Sequence, residues 1–223
     1  MPLSNPDHIP TVIKLALGFQ PKRVLDVGVG IGAYGLLLRQ YMDIAHERIE
    51  KSSWQTRIEG VEIFEPYRNP VWDYAYDAVR MGDIRRVLPS LGHYDLIVCN
   101  DVLEHFPLAE AKELTRGLLA HTDVLIATSP SGDYPQGAWG SNEAETHHCV
   151  IRSEDLPGIV CCLPLGITNC FVCTARPEQV FSILSVADTC PAFSEPNPAS
   201  FWRRLRRRYL QRRWLQNADR AGG

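Results

Sequence analysis

The segment that most constrains this chain is Val24-Leu25-Asp26-Val27-Gly28-Val29-Gly30-Ile31-Gly32. A short apolar run rich in branched side chains reads as a strand, three alternating glycines follow at once, and residues 32–41 then take up a helical period. A strand that passes through a glycine loop into a helix is the opening unit of a parallel sheet covered by helices. Glycines at that bend let the backbone approach a ligand, and the start of the helix offers N–H donors that have no intrahelical partner.

The rest of the chain repeats the alternation. Apolar, β-branched runs predict strands at 23–27, 57–63, 94–99, 123–128 and 167–175, with a weaker one at 78–81. Between and around them the spacing predicts helices at 9–17, 32–41, 108–120, 153–156 and 177–187. At 223 residues and 45% hydrophobic, the chain suits one α/β domain better than two. The expected organisation is a Rossmann-like, doubly wound domain over 1–189, a Pro/Ser-rich linker at 190–200 and an arginine-rich tail at 201–223. The Gly/Pro/Ser-rich stretch 129–141 is a long loop after the fourth strong strand, and so lies beyond the carboxyl ends of the sheet, where open α/β sheets bind ligands.

Glycine spacing alone does not choose a ligand, because Gly30, Gly32 and Gly35 also satisfy the dinucleotide pattern G-x-G-x-x-G. The carboxylates are more telling. Asp26, just before Gly28, is expected to face the bound group, where it would repel a pyrophosphate and attract an ammonium. Glu62, followed by Ile63 at the end of the second strand, is placed to accept the hydroxyls of a ribose. Its distance from the glycine loop exceeds the roughly 20 residues usual in dinucleotide folds, through an apparent insertion at 44–55. Asp83 after Gly82 can accept from an adenine amine while Ile84 packs on the ring.

Taken together, Asp26 with Gly28, Gly30 and Gly32, then Glu62, then Gly82-Asp83, resemble the class I methyltransferases that use S-adenosylmethionine. The resemblance covers about residues 8–185. It implies a seven-stranded, mostly parallel sheet with an antiparallel last strand, a methionyl end touched by Asn100 or Asp101, and an acceptor pocket beside Glu104 and His105. The runs 63–67, 101–106 and 142–147 further resemble methyltransferases encoded with bacterial surface-polysaccharide enzymes, which implies a sugar or glycan-precursor acceptor. The pattern departs after His147, where Cys149-Val150-Ile151-Arg152 stands in place of an expected aromatic residue.

Methyl transfer from a sulfonium is an in-line displacement, so alignment and exclusion of water dominate, and a hydroxyl acceptor also needs a base. His105, His147 and Asp101 are the catalytic candidates, with His148 beside them, since an imidazole of ordinary pKa suits proton removal at neutral pH. Tyr134 and Trp139 in the long loop could stack on a sugar face. No metal is expected: the Cys170-x-x-Cys173 spacing lies in a strand-like run whose alternation turns the two thiols to opposite faces. The seven cysteines read as reduced.

The net charge of −3 conceals an asymmetry. Residues 201–223 hold eight arginines against Asp219 alone, +7, which leaves −10 on residues 1–200. An acidic body argues against general nucleic-acid binding, whereas Phe201, Leu205 and Tyr209 amid arginines form a basic amphipathic face suited to an anionic membrane surface or, less well, to RNA. No apolar run approaches roughly 18 residues and the start lacks the features of a signal peptide. The expected location is therefore cytoplasmic, with peripheral membrane contact through the tail. The competing functions are RNA methylation, a non-catalytic S-adenosylmethionine-binding subunit and, disfavoured by Asp26, an NAD-dependent oxidoreductase.

Overall fold

The structure, a computed structural model, describes residues 5–190. The arginine-rich tail and all of the expected linker but Cys190 lie outside the described residues. Strands β1 (Arg23–Val27), β2 (Arg57–Glu62), β3 (Ala78–Met81), β4 (Tyr94–Asn100), β5 (Thr122–Pro130), β6 (Ile159–Leu165) and β7 (Thr168–Cys173) form one seven-stranded sheet in the order β3-β2-β1-β4-β5-β7-β6. The pairs from β3 through β5 are parallel, whereas β7 runs antiparallel to both β5 and β6. The helices are α1 (Ile9–Phe19), α2 (Ala33–Met42), α3 (Pro70–Ala75), α4 (Ile84–Val87), α5 (Leu108–Ala120) and α6 (Val180–Ala187). This is the Rossmann-like α/β fold expected, with its antiparallel end.

The core occupies both faces of the sheet. On one face Leu25, Ile97, Cys99, Leu125 and Phe171 pack with Leu114 and Leu118 of α5. On the other, α1 packs against α2 and α6. Strands β4 and β5 are covered on both sides and so read as nearly unbroken apolar runs. The strand order reverses at β1, which lies between β2 and β4, and that switch point opens the ligand crevice at the strands' carboxyl ends.

Four elements depart from the sequence-based expectation, the short and unforeseen helix α4 among them. Strand β6 was not foreseen, because Pro164 and the Cys161-Cys162 pair disguise it. It is one of the two edge strands, where a missing N–H is tolerated, and it turns into β7 through Gly166, whose φ is 61°. The expected helix at 153–156 is a 3₁₀ turn over Ser153–Asp155. Helix α3, also unforeseen, starts at Pro70 under an Asn69 cap whose side chain accepts from the Val71 N–H at 2.8 Å.

The insertion 44–55 folds around one cation. Arg39 in α2 is wholly buried. It donates to Asp43 at 2.5 Å, to the Thr56 carbonyl at 2.6 Å, to Asp77 at 2.9 Å and to the Ala75 carbonyl at 3.1 Å. Its guanidinium lies 3.8 Å from the ring centroid of Trp54, itself part of the insertion. Burial works to raise the Asp43 carboxyl, but hydrogen bonds from the Gln55 N–H, Arg48 and Arg39 outweigh it and hold Asp43 below its usual range. Among the described residues no helix is long and apolar enough to cross a membrane.

Candidate functional site

The loop between β1 and α2 is shaped before any ligand arrives. Gly28 has φ 79°, and a Cβ there would lie 2.5 Å from Val102 Cγ2, so both backbone and space demand glycine. The Gly28 N–H donates to the Val61 carbonyl at 2.9 Å, and Trp72 Nε1 donates to the Gly30 carbonyl at 3.0 Å. Glu62, at the end of β2, closes the arrangement: Oε2 accepts from the Gly30 N–H at 2.7 Å and Oε1 from Ile63 and Phe64 at 2.9 and 2.8 Å. A carboxylate has about four acceptor sites, so these three bonds leave room for one ribose hydroxyl.

Above this loop lies a cleft of about 310 Å³. Gly28, Gly30, Glu62, Ile63, Asp83, Ile84 and Asn100 all line it, as do Asp101 and His105. Asn100, at the tip of β4, is buried, and among the described residues neither its amide oxygen nor its nitrogen has a hydrogen-bond partner. A buried amide without protein partners at the lining of the cleft is a polar group that a ligand or a water there can satisfy. One acceptor and one NH₂ donor suit a ligand end carrying both an ammonium and a carboxylate, as a methionyl group does.

Two expectations need correction. Asp26 does not face the cleft. It is buried under the loop and accepts from the Tyr76 hydroxyl at 2.6 Å, while that hydroxyl accepts from the Gly35 N–H at 3.0 Å. The reason is strand register: Asp26 pairs with Gly60 of β2, and its side chain turns to the face covered by Tyr76. Gly32 likewise stands back from the cleft, capping α2 with φ 93° and leaving room for Val71 and Trp72. Asp83 does line the cleft, but it is engaged. It caps α4 through the Arg85 N–H at 2.9 Å and pairs with the Arg85 side chain at 2.5 Å, and that pairing draws its carboxyl below the usual range.

Burial pushes the Asp26 carboxyl up to about 7, against the Tyr76 hydrogen bond and with help from the Glu62 charge. A carboxyl raised on folding binds its proton more tightly in the native state, so its contribution is complete below about pH 4 and declines as pH rises towards 7. Asp26→Asn, which keeps an acceptor for Tyr76, is expected to remove that decline. Urea unfolding of the two proteins at a series of pH values checks it, and parallel pH curves would refute it.

A second cavity, of about 360 Å³, adjoins the first at Asp101 and His105, which line both. Tyr134, Gln136, His147, Glu104 and Thr168 contribute to its walls. The His105 and His147 rings stand 4.9 Å apart between centroids. His105 Nδ1 lies 3.3 Å from the Thr146 carbonyl and His147 Nδ1 lies 2.7 Å from the Tyr134 carbonyl. A carbonyl can only accept, so each Nδ1 is the donor and each Nε2 carries the lone pair. Burial, with His147 close by, lowers the His105 pKa and keeps that ring neutral. His148 lines the first cleft, and its backbone N–H donates to the Glu104 carbonyl at 2.8 Å. Trp139 lines neither cavity.

Sequence reasoning gave no role to Tyr67, Asn142 and Glu145, which the fold brings together over the first cleft. The Tyr67 hydroxyl donates to Glu145 at 2.8 Å and stands 3.4 Å from the Asn142 amide nitrogen. Their sequence separation of 75 and 78 residues hides the cluster. Only the occurrence of both segments in the polysaccharide-associated resemblance hinted at it.

Residues 7–160 match the sequence model of a family described as a methyltransferase domain. No curated protein matches the chain. Among solved structures, the N-terminal domain of EvdMO1, crystallised with S-adenosylhomocysteine and D-fucose, aligns with a TM-score of 0.54 at 15% identity, over 77% of this chain and 84% of that one. Magnesium protoporphyrin IX methyltransferase from Synechocystis PCC 6803, with bound S-adenosylhomocysteine, aligns at 0.52 and 18% identity, over 73% and 80%. The bifunctional kinase-methyltransferase WbdD aligns at 0.51 and 15% identity, over 74% of this chain but 39% of its own length. At such identities the likeness is one of fold.

Proposed function

Because the chain belongs to the methyltransferase domain family, with S-adenosylmethionine as its methyl donor, we propose that it methylates a hydroxyl oxygen of a sugar or glycan precursor. The observation that carries this reading is the meeting of the two cavities at Asp101 and His105. The first holds the donor through the glycine loop, Glu62 and the orphaned Asn100 amide. The second presents a hydroxyl to it from a pocket with an aromatic ring, an amide and imidazoles, a mixture suited to a polyhydroxylated ring.

The chain's part in the reaction is alignment, exclusion of water and removal of one proton. Asp101, His105 and His147 are the groups able to take that proton, with the imidazoles offering Nε2. The polysaccharide-associated resemblance of residues 63–67 and 142–147 supports the sugar class, since those segments supply Tyr67, Asn142 and Glu145 at the cleft. EvdMO1 crystallised with D-fucose points the same way by analogy.

Incubation with S-adenosylmethionine labelled in its methyl group tests the reading, with parallel reactions containing nucleotide-linked sugars, lipid-linked glycan precursors and total RNA. Label is expected in a sugar fraction and in a form stable to mild alkali, as an ether is and a carboxyl methyl ester is not. Label confined to RNA would replace the reading with RNA methylation.

A further inference from the structure

Asp101 is held in place from its surroundings. Its backbone adopts a left-handed conformation with φ 53°, and its N–H donates to the Thr128 carbonyl at 3.0 Å. Thr128 Oγ1 donates to Oδ1 at 2.9 Å. The other oxygen, Oδ2, lies 3.3 Å from Nε2 of His8. His8 stands just before α1 and is wholly buried.

The hydrogen count at His8 is fixed by its second neighbour. Nδ1 lies 3.2 Å from Thr168 Oγ1, and that hydroxyl donates its own hydrogen to the Leu165 carbonyl at 3.0 Å. Thr168 can therefore only accept from His8, so Nδ1 carries a hydrogen and Nε2 faces Asp101. Among the described residues no hydrogen-bond partner satisfies Nε2. An imidazole lone pair and a carboxylate oxygen at this separation repel each other unless a hydrogen lies between them. The fold thus provides a place for one proton between His8 and Asp101.

We propose that Asp101 takes the proton of the acceptor hydroxyl, and that His8 is the positioning residue that orients its carboxylate and shares the proton. This rests on the chain being an O-methyltransferase. As the acceptor oxygen bonds to the methyl carbon, its O–H bond breaks. The carbon–sulfur bond breaks with its electron pair going to the sulfonium sulfur, and the proton goes to Asp101 Oδ2 beside His8 Nε2. Asp101 and His105 both reach both cavities, but among the described residues only Asp101 has a wholly buried imidazole against its side chain. Glu104 competes poorly, because it is buried, lines only the second cavity, and burial, with the Asp101 charge adding to it, drives its carboxyl well above the usual range.

Proton NMR of the full chain saturated with S-adenosylhomocysteine tests the pair. An imidazole Nε2–H resonance far downfield of the amides, distinguished by nitrogen-15 correlation from the Nδ1–H that donates to Thr168, is expected in the wild type and is expected to vanish in both His8→Gln and Asp101→Asn. Asparagine tolerates the left-handed backbone at 101, and His8→Gln should bind S-adenosylhomocysteine within about threefold of the wild type, so loss of the signal would not reflect a lost fold. Absence of the resonance from the wild type, or its survival in either variant, overturns the pair. Failure of the wild type to bind S-adenosylhomocysteine by calorimetry overturns instead the reading on which the pair rests. With an acceptor from the labelled panel, His8→Gln should lower kcat by roughly 10–100-fold at unchanged KM, and an unchanged kcat would refute the role.

Discussion

Replacing Glu62 with alanine should weaken S-adenosylhomocysteine binding at least about a hundredfold, or about 2.7 kcal/mol. Two losses add. The ribose loses its carboxylate acceptor, and the N–H groups of Gly30, Ile63 and Phe64, now satisfied by Glu62, are left to find other partners. The second loss frees the glycine loop itself, so donor affinity falls even where contacts to the rest of the ligand survive. Glu62→Gln should fall between, because one amide oxygen can serve either Gly30 or the Ile63 and Phe64 pair, while its NH₂ group meets donors on the other side. Calorimetric titration of the three proteins measures the series. A dissociation constant for Glu62→Ala within about threefold of the wild type would mean that Glu62 neither holds the loop nor meets the ribose.

Arg39→Met is expected to destabilise the protein by about 3–5 kcal/mol, the range found when one partner of a buried ion pair is removed. The methionine replaces the aliphatic stem but leaves the buried Asp43 carboxylate with Arg48 and the Gln55 N–H on one oxygen only, and abandons the Ala75 and Thr56 carbonyls. It also deprives Trp54 of the nearer of its two cations. The double variant Arg39→Met with Asp43→Leu should recover only part of the loss, since it removes a buried carboxylate left short of a partner but also frees Arg48 and the Gln55 N–H. Urea unfolding gives both values. If the single variant loses less than about 1 kcal/mol, the network contributes no more than a surface ion pair would.

The sequence reading was strongest where local pattern and tertiary role coincide. Strands β1 and β3 and helix α5 fall at their expected limits because their apolar periods are the same features that the sheet and its covering helix bury. Edge strand β6 escaped because an edge tolerates what a central strand does not, and proline masked it. At the site, Glu62, Gly28, Gly30 and Asn100 come to the cleft because strand ends and the loop after β1 are positions that the chain order itself fixes. What no local pattern could reveal was which way Asp26 turns, since that depends on a tyrosine 50 residues away. His8 was equally invisible: it meets Asp101 and Thr168 only once the helix before β1 has been laid against the far end of the sheet.

Gly35 shows how a shared spelling can have a different cause. In a dinucleotide fold the last glycine of G-x-G-x-x-G permits close packing of helix on strand, and this chain has a glycine at that place. Yet a Cβ on Gly35 would fall 2.1 Å from Cζ of Tyr76, the ring whose hydroxyl reaches Asp26. Position 35 is empty because position 76 is full. Among relatives of this chain the two sites should therefore change together, a bulkier residue at 35 appearing only where the tyrosine has given way, and a search that weighs the glycine without its tyrosine will count as ancestry what is here an imprint of neighbouring shape.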